Sequence, residues 1–436
     1  MTGLDRPGSR GDETTTSVSR PGHHRQTVVM LTTSYPRFPG DGIATFLEQI
    51  AHGVAGRGHD VHVVAPWHPR VRRPPREDGV QFHFFRYAPT ARLHVFGYAA
   101  ALKADVALRP VTYLVAPLAI RAGCSMVRRV VRRTHASIIH AHWVVPGGAM
   151  AALSQTGVPV VVSLHGSDVF LAEVNPVARL AARLAFRHAF WVTACSEDLR
   201  RRAVGLGADP NAMTVIPYGV DTDRFRPDAQ ARARIRRDRR VGAGDPIVFT
   251  AGRLVRKKGF EFLIDAMVCL TERSPRVTLV IAGRGDLEDE LRQRAVTRRV
   301  AENIVFLGTV PQGDIAEWLA AADVAVVPSV RDDAGNVDGL PNVLLEALSS
   351  GTPVVATSAG GMGLVAVDGQ TARVVPERDV AALAGAVGEL LGQPSDAAAL
   401  GARARTEMCR AYAWTRIAER FSDTYEKAIE NSRRRG

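Results

Sequence analysis

Short apolar runs alternate with amphipathic stretches along most of the chain, and this alternation constrains the fold more than any other feature. In the first half, the runs lie at 27–31, 60–66, 137–142, 159–166 and 190–196. Runs of this length, separated by helical patterns, are typical of parallel strands covered by helices on both faces of the sheet. The sequence therefore predicts an α/β fold built from doubly wound, Rossmann-like units.

The alternation stops at an arginine-rich segment and starts again beyond it, which divides the chain of 436 residues. We predict a disordered tail at 1–26, a first Rossmann-like domain at 27–218, a linker at 219–245, a second Rossmann-like domain at 246–411 and a last helix at 412–436. The last helix is expected to pack back on the first domain. Open α/β sheets bind ligands at the carboxyl ends of their strands, so two facing domains predict a site in a central cleft.

The charge of the chain bounds its partners. The net charge is +12, and arginine clusters occur at 70–76, 128–133 and 232–240. Such a balance favours anionic partners. The clusters have two open interpretations, as solvated faces or as contacts with an anionic membrane surface. Nucleic acid is disfavoured, because the sequence contains no nucleic-acid-binding module and does not interleave aromatic with basic residues.

The apolar runs and the cysteines indicate a cellular compartment. The longest apolar run, at about 111–120, is too short to span a bilayer and contains a proline. The segment 1–26 lacks the apolar core of a signal peptide. The four cysteines are scattered without metal or disulfide spacing, which is typical of free thiols in a reducing compartment. We therefore expect a cytoplasmic protein that lies at the inner face of a membrane.

A basic loop, GRLVRKKG at 252–259, follows one of the predicted strands of the second domain. Arg253 and Lys258 flank this loop, and a helix is expected from about Gly259. Cations near a helix N-terminus oppose the helix dipole, at a cost of roughly 0.3–1 kcal/mol each. A bound anion would remove the conflict, because guanidinium and ammonium groups suit phosphate oxygens. The alternative is an exposed basic loop without a ligand.

A turn followed by a helix is predicted for DGLPNVLLEALSSGTPVV, at 338–355. Pro341 suits the first helical position, and the backbone N–H groups of 342–344 would point into the cleft. Glu346 lies one turn into the helix, from where its side chain would lean back toward the hydroxyls of a ribose. Asp338 lies in the turn, where it would contact a transferred group. The alternative is a pair of solvated acids.

Three further patterns are weaker signals. Gly283 and Gly285 stand at a strand-to-helix turn, but the full dinucleotide fingerprint is absent. The acidic tripeptide at 221–223 has the spelling of a manganese motif, although such a tripeptide arises often by chance. His140 and His142 end a buried strand without a third ligand at metal spacing. No metal site is therefore expected.

Five stretches, taken in order, resemble the motifs of the retaining glycosyltransferases of family 4, which have the GT-B fold. The acids of 338–346 and the ALSSGTPVVATSAGG after them resemble the E-x7-E donor motif of that family. The other four are the N-terminal turn and helix in 34–66, SLHGSD at 163–168, VIPYGVD at 215–221 and GRLVRKKG at 252–259. The resemblance covers about 27–376 and implies two Rossmann-like domains that face a central cleft.

The resemblance also implies roles for single residues. Asp338, His165, Arg253 and Lys258 would form the catalytic centre, in which the two cations stabilise charge on the leaving nucleotide. The donor would be bound by Arg253, Lys258, Glu346, Gly283, Leu340, Asn342 and Val343. Gly40 and Gly42 would form a turn that lets the backbone approach donor or acceptor. No metal or other cofactor is expected, and the donor would be a UDP-, GDP- or ADP-sugar.

The function that the resemblance implies is transfer of a hexose, with retention, to a hydroxyl of a saccharide or lipid-linked acceptor, in the synthesis of cell-surface polysaccharide or glycolipid. The chain departs from the family pattern at Asp338, where glutamate is usual, at Leu364, where glutamate is frequent, and at Tyr218, where asparagine is common. A non-catalytic GT-B binder of nucleotides or anionic polymers is the alternative. A sugar-nucleotide epimerase is a further one, and a phosphorylase is disfavoured because no lysine motif for pyridoxal phosphate is present.

Overall fold

The computed structural model of the chain describes residues 24–98, 102–103, 107–108, 110–239, 241–242 and 244–435. The predicted disordered tail therefore lies outside the described residues up to position 23. The strands of the described part are β1 (Thr27–Leu31), β2 (Asp60–Pro66), β3 (Arg76–Glu77), β4 (Val80–Phe85), β5 (Leu102–Lys103), β6 (Ala107–Leu108), β7 (Ile138–His142), β8 (Val160–Leu164), β9 (Trp191–Ala194), β10 (Met213–Val215), β11 (Ile247–Ala251), β12 (Thr278–Ala282), β13 (Ile304–Gly308), β14 (Val324–Val327), β15 (Val354–Thr357) and β16 (Arg373–Val375).

The helices lie on the faces of the sheets and between the strands. They are α1 (Thr45–Gly56), α2 (Pro110–Thr134), α3 (Ala149–Ser154), α4 (Ser167–Val174), α5 (Pro176–His188), α6 (Glu197–Gly205), α7 (Ala229–Asp238), α8 (Phe260–Arg273), α9 (Glu288–Thr297), α10 (Gln312–Ala321), α11 (Asn342–Ser349), α12 (Val380–Gly392), α13 (Pro394–Glu407) and α14 (Trp414–Arg435). Short 3₁₀ and π turns connect some of them.

Two sheets confirm the predicted fold class. The first has the strand order β10-β9-β8-β7-β1-β2-β4-β3 and the second has the order β13-β12-β11-β14-β15-β16. Within these two sheets, neighbouring strands are parallel except for the antiparallel pair β3 and β4, and β5 and β6 form a separate antiparallel pair. Every residue of the central strands β7, β8 and β11 is buried, as expected for parallel strands covered on both faces. The sequence interpretation missed β4, because its polar Gln81 and His83 break the apolar run.

The predicted linker at 219–245 is in part a helix of the second domain. α7 begins at a cap in which Asp228 accepts from the N–H of Ala231, and it packs on α10. Its arginines lie in the cluster 232–240 and pair within the domain. Arg232 and Arg236 contact the two carboxylate oxygens of Asp323, at 2.6 and 2.9 Å. These ion pairs fold the segment onto the domain, which composition alone does not indicate.

The last helix, α14, packs against α1 of the first domain. Ile417, Phe421 and Tyr425 are buried in the same apolar cluster as β1 and α1. The chain crosses from the first domain to the second near Val220, and it crosses back near Ala413, just before α14. These two crossings lie side by side. There Val220 forms a parallel bridge with Ala413, and its N–H donates to the carbonyl of Tyr412 at 2.8 Å.

Helix α2 corrects the expectation for the apolar run at 111–120. The run is the first part of a 25-residue helix, which is long and apolar enough, by length and composition, to cross a membrane. A third of its most apolar window is buried in the protein, and the core helix of a soluble protein passes the same test. The sequence interpretation ended the run too early, because Arg121 interrupts it while buried Val127 and Val130 continue the apolar face.

Candidate active site

A cavity of about 590 Å³ lies between the two domains, at the carboxyl ends of both sheets. The first domain contributes Gly42, His165 and Tyr218, and the second contributes Arg253, Lys257, Asp338, Gly339 and Leu340. This is the location at which open α/β sheets bind ligands. The structure therefore brings five of the eleven residues selected from the sequence to the wall of one cavity.

Asp338 is held by two lysines at the floor of this cavity. Its carboxylate lies 2.7 Å from Nζ of Lys258 and 3.4 Å from Nζ of Lys257, and it accepts from Oγ of Ser329 at 3.3 Å. Burial acts to raise the pKa of Asp338, but Lys258 and Lys257 outweigh it and hold that pKa at about 2. The side chain is therefore a carboxylate throughout the physiological range and does not serve as a proton donor.

Lys257 is a site residue that the sequence interpretation did not select. The basic loop forms a short 3₁₀ turn, from which Lys257 and Lys258 both reach Asp338. Arg256 instead pairs with Glu290 at 2.5 Å, outside the cavity. The only signal in the sequence is the run of three cations, and it does not tell which of them face the acid.

Arg253 is exposed and lines the cavity on the side of the second domain. It follows Gly252, whose backbone is packed against Gly283. A Cβ atom on Gly283 would lie 1.8 Å from the carbonyl oxygen of Gly252, and the φ of Gly283 is 141°. Gly283 was predicted to bind the donor, but it does not line the cavity. It packs against the turn that carries Arg253, so it acts on the site through the backbone.

Helix α11 begins one residue later than predicted. Pro341 is the extended N-cap residue, and the N–H of Leu344 donates to its carbonyl at 3.1 Å. The expectation that the N–H groups of 342–344 all point into the cleft is therefore wrong for Leu344. Asn342 lines a smaller cavity beside the first, whereas Val343 is buried and lines neither.

Glu346 faces this smaller cavity of about 30 Å³, together with Asn342, Arg224 and Gln312. Its Oε1 accepts from Nε2 of Gln312 at 3.2 Å. Burial raises the pKa of Glu346 to about 7, against the opposing effects of Gln312 and nearby cations. Near neutral pH, the carboxyl group is thus divided between its protonated and ionised forms. Ligand hydroxyls that donate to it would favour the ionised form.

His165 lines the large cavity, but both of its ring nitrogens are already hydrogen-bonded. Nδ1 lies 3.0 Å from the hydroxyl of Tyr218, and Nε2 lies 3.1 Å from Nδ1 of His142. Burial lowers the pKa of His165 to about 3, so the ring is neutral. Asp168 holds the loop, since its Oδ1 accepts from the N–H groups of His165 and Gly166. His165 therefore presents a fixed, neutral ring to the cavity.

The glycine-containing turn of the first domain is fixed by a buried ion pair. Arg37 binds both carboxylate oxygens of Asp41, at 2.6 and 2.8 Å, and the two side chains are almost fully buried. Gly42 lines the cavity, whereas Gly40 lies outside its wall with a φ of 83°. The sequence interpretation missed the pair, although its spacing of four residues was a signal.

The acidic tripeptide at 221–223 and the histidines of β7 form hydrogen bonds within the protein. Asp221 of the acidic tripeptide accepts from the N–H groups of Asp223 and Arg224, and so closes a turn. His140 contacts the hydroxyl of Tyr425 at 2.8 Å. Among the residues that the structure describes, no group of three His, Cys, Asp or Glu side chains is arranged to hold a metal ion.

Comparison with known proteins gives consistent matches over both domains. The family model for Glycosyltransferase Family 4 matches residues 40–224, and the model for Glycosyl transferases group 1 matches residues 231–407. A GDP-mannose-dependent alpha-(1-6)-phosphatidylinositol monomannoside mannosyltransferase from Mycolicibacterium smegmatis is 40% identical over 273 residues, which cover 61% of this chain and 71% of the relative. Glycogen synthase from Mycobacterium tuberculosis is 27% identical over 93% of this chain and 96% of its own length.

Solved structures agree with the sequence relatives on the fold. HepE from Anabaena, in a complex with UDP, superposes with a TM-score of 0.73 at 20% identity, over 92% of this chain and 99% of its own. At that identity the likeness concerns the fold alone. Taken with the two family models and the 40% identical relative, it shows that this chain belongs to the GT-B glycosyltransferases of family 4.

Proposed function

We propose that this protein transfers a hexose from a nucleotide-diphosphate sugar to a hydroxyl of a saccharide or lipid-linked acceptor, with retention of the anomeric configuration. The observation that carries the proposal is the cationic floor of the cleft, where Lys257 and Lys258 meet Asp338 beside Arg253. Arg253 and Lys258 bind the diphosphate and stabilise the charge that grows on the leaving nucleotide. No metal ion takes part in this proposed mechanism.

Retention by attack from the leaving-group face is supported because neither Asp338 nor His165 is suited to act as a nucleophile or a base on the substrates. Asp338 is occupied by two ammonium groups, which makes it a poor nucleophile. His165 is neutral, with both ring nitrogens bound, so it does not take a proton from the acceptor. The acceptor hydroxyl would attack from the face that the nucleotide leaves, and the departing phosphate would take the proton. Catalysis then depends on positioning and on charge stabilisation.

GDP-mannose is the first donor to test. The relative from Mycolicibacterium smegmatis and one from Mycobacterium tuberculosis, 36% identical over 61% of this chain and 68% of its own length, are both described as GDP-mannose-dependent. We place the enzyme in the cytoplasm, at the inner face of the membrane, in polysaccharide or glycolipid synthesis. Asp338 stands where glutamate is usual in the family, beside the proposed sugar site. Its shorter side chain therefore affects which sugar the enzyme transfers.

A donor screen tests the proposal. The purified protein is incubated with GDP-mannose, UDP-glucose and ADP-glucose, with and without saccharide acceptors, and products are identified by mass spectrometry and by NMR of the anomeric proton. We expect transfer or slow hydrolysis with one donor and an unchanged anomeric configuration. Tight nucleotide binding without any turnover would instead favour the non-catalytic binder. An inverted product would contradict the mechanism.

Donor affinity is expected to depend on pH through Glu346. The ionised carboxylate accepts ribose hydroxyls better than the acid does, and the pKa of about 7 in the free protein means that affinity rises with pH. We expect the affinity for a nucleoside diphosphate to increase about tenfold from pH 6 to pH 8, as the ionised fraction rises. Calorimetric titration at pH 6, 7 and 8 measures this change.

Glu346→Gln supplies the baseline, because the terminal phosphate of the nucleotide also titrates near pH 6. The variant is expected to bind about tenfold more weakly at pH 8 and to lose the excess pH dependence. An equal pH slope in wild type and variant would show that Glu346 does not contact the nucleotide.

A further inference from the structure

The central cavity does not end at the catalytic residues. It continues between helices α2 and α5 of the first domain, where its walls are mostly apolar. Ala116 and Ile120 face it from α2, Val177 and Ala181 face it from α5, and Val145 and Leu171 also line it. The lining is thus charged at the end near Asp338 and apolar at the other end.

The two helices that line this extension also carry exposed apolar side chains. On α2, Leu114 is 75% exposed and Leu118 is 52% exposed, while on α5 Val177 is 69% exposed and Leu180 is 71% exposed. Tyr113, which is half exposed, accepts a hydrogen bond from Nδ2 of Asn175 at 3.1 Å and so joins α2 to the start of α5. Of these exposed side chains, Tyr113 and Val177 also line the cavity, so the cavity opens to solvent past apolar groups, as in surfaces that bind an apolar ligand.

The charge on the same two helices is of one sign. α2 contains Arg121, Arg128, Arg129, Arg132 and Arg133, α5 contains Arg179, Arg183 and Arg187, and neither helix contains an aspartate or a glutamate. All the arginines of α2 are exposed, and the guanidinium of Arg128 donates to the carbonyls of Ser154 and Leu153. An anionic group close to an apolar chain complements this combination.

We infer that the groove between α2 and α5 holds the hydrocarbon chain of an anionic, lipid-linked acceptor, while its sugar hydroxyl reaches Asp338 and Arg253. This inference rests on the proposed function and narrows its acceptor. One cavity joins the apolar walls to the catalytic residues, which favours a chain attached to the reacting sugar. Both helices carry only positive charge, which favours an anionic group on that acceptor. Its volume of about 590 Å³ lies within the usual range of ligand pockets.

Binding of alkyl phosphates tests the groove without any turnover. Ethyl, octyl and dodecyl phosphate are titrated below the concentrations at which they form micelles, with calorimetric detection. One buried methylene group is worth about fourfold in affinity. Because a chain in an open groove is only partly buried, we expect dodecyl phosphate to bind at least 100-fold more tightly than ethyl phosphate. Equal affinity across the series would overturn the inference.

Two variants fill the groove from opposite walls, Ala116→Phe on α2 and Ala181→Phe on α5. Each is expected to lower the affinity for dodecyl phosphate at least tenfold and to leave that for ethyl phosphate unchanged. Ala233→Phe, on the exposed face of α7 in the second domain, is the matched control and is expected to bind like wild type. Thermal unfolding confirms that each variant is folded. If the affinity no longer rises with chain length in only one of the two variants, the chain lies against the wall that carries that substitution, which also supports the groove.

Vesicles distinguish a bound chain from a surface that rests on a membrane. If the exposed apolar side chains of α2 and α5 only dock on anionic vesicles of phosphatidylglycerol, the protein floats with the vesicles but binds dodecyl phosphate no more tightly than ethyl phosphate, and the inference fails. The donor screen separates this failure from that of the proposed function. Transfer to a short saccharide, with alkyl phosphates that bind equally at all chain lengths, would support the proposed transferase and refute the inferred groove. Affinity that rises with chain length, without any transfer, would support the groove and contradict the transferase.

Discussion

Replacing Lys258 or Arg253 with alanine is expected to lower kcat by about 10²–10³-fold and to weaken binding of the nucleoside diphosphate. Lys258 is largely buried and lies 2.7 Å from Asp338, so its charge acts in a poorly solvated site, where a preformed cation stabilises a leaving group most strongly. Arg253 lines the central cavity and offers a planar fork for phosphate oxygens. Steady-state kinetics and calorimetric titration with GDP and UDP measure the two effects.

Arg256→Ala is the control for both variants. Arg256 belongs to the same basic loop, but it is about half exposed and pairs with Glu290, away from the cavity. We expect its replacement to change neither kcat nor nucleotide affinity by more than about twofold, because exposed ion pairs contribute little. Unchanged nucleotide affinity in both Lys258→Ala and Arg253→Ala would refute the assignment of the phosphate site.

Asp338→Asn is expected to separate nucleotide binding from turnover. Asp338 neutralises Lys257 and Lys258, whose side chains are only 10% and 15% exposed. Removing one partner of a buried ion pair typically costs about 3–5 kcal/mol of folding free energy, so the free variant should unfold at a lower temperature. The diphosphate no longer competes with Asp338 for the lysines, and its affinity should rise by about tenfold, while kcat falls by at least 100-fold because the sugar loses a contact.

Asp333→Asn is the matched control, because Asp333 lies in the same loop and is almost fully exposed, with an ion pair to Arg378. It should change neither the unfolding temperature nor the nucleotide affinity. Thermal unfolding with and without GDP, followed by titration, measures both quantities. Weaker GDP binding in Asp338→Asn would contradict the competition between the carboxylate and the phosphate.

The sequence predicted most strands of the two sheets, because parallel, doubly covered strands require continuous apolar runs. It failed for β4, which lies next to the edge of its sheet and whose polar Gln81 and His83 are only partly buried. It also failed for α7, whose place in the second domain depends on Asp323, a partner far away in the chain.

The candidate site, too, could be predicted from the sequence only in part. Local patterns placed Asp338, Lys258 and Arg253 in loops at the ends of strands. In the structure, Asp338 and Arg253 line one cavity, and Lys258 contacts Asp338 without lining it. They did not indicate that Lys257 shares Asp338, or that Tyr218 occupies one nitrogen of His165. Both contacts join segments that are distant in the sequence, and only the folded chain determines them.

The bridge between Val220 and Ala413 has a consequence for motion. Both crossings between the domains run side by side there, tied by a hydrogen bond from Val220 to Tyr412. Two adjacent crossings act as a hinge with a defined axis, which permits bending but resists twisting. We therefore expect the cleft to open and shut along a single arc, so that Asp338 and His165 return to the same facing positions each time it closes.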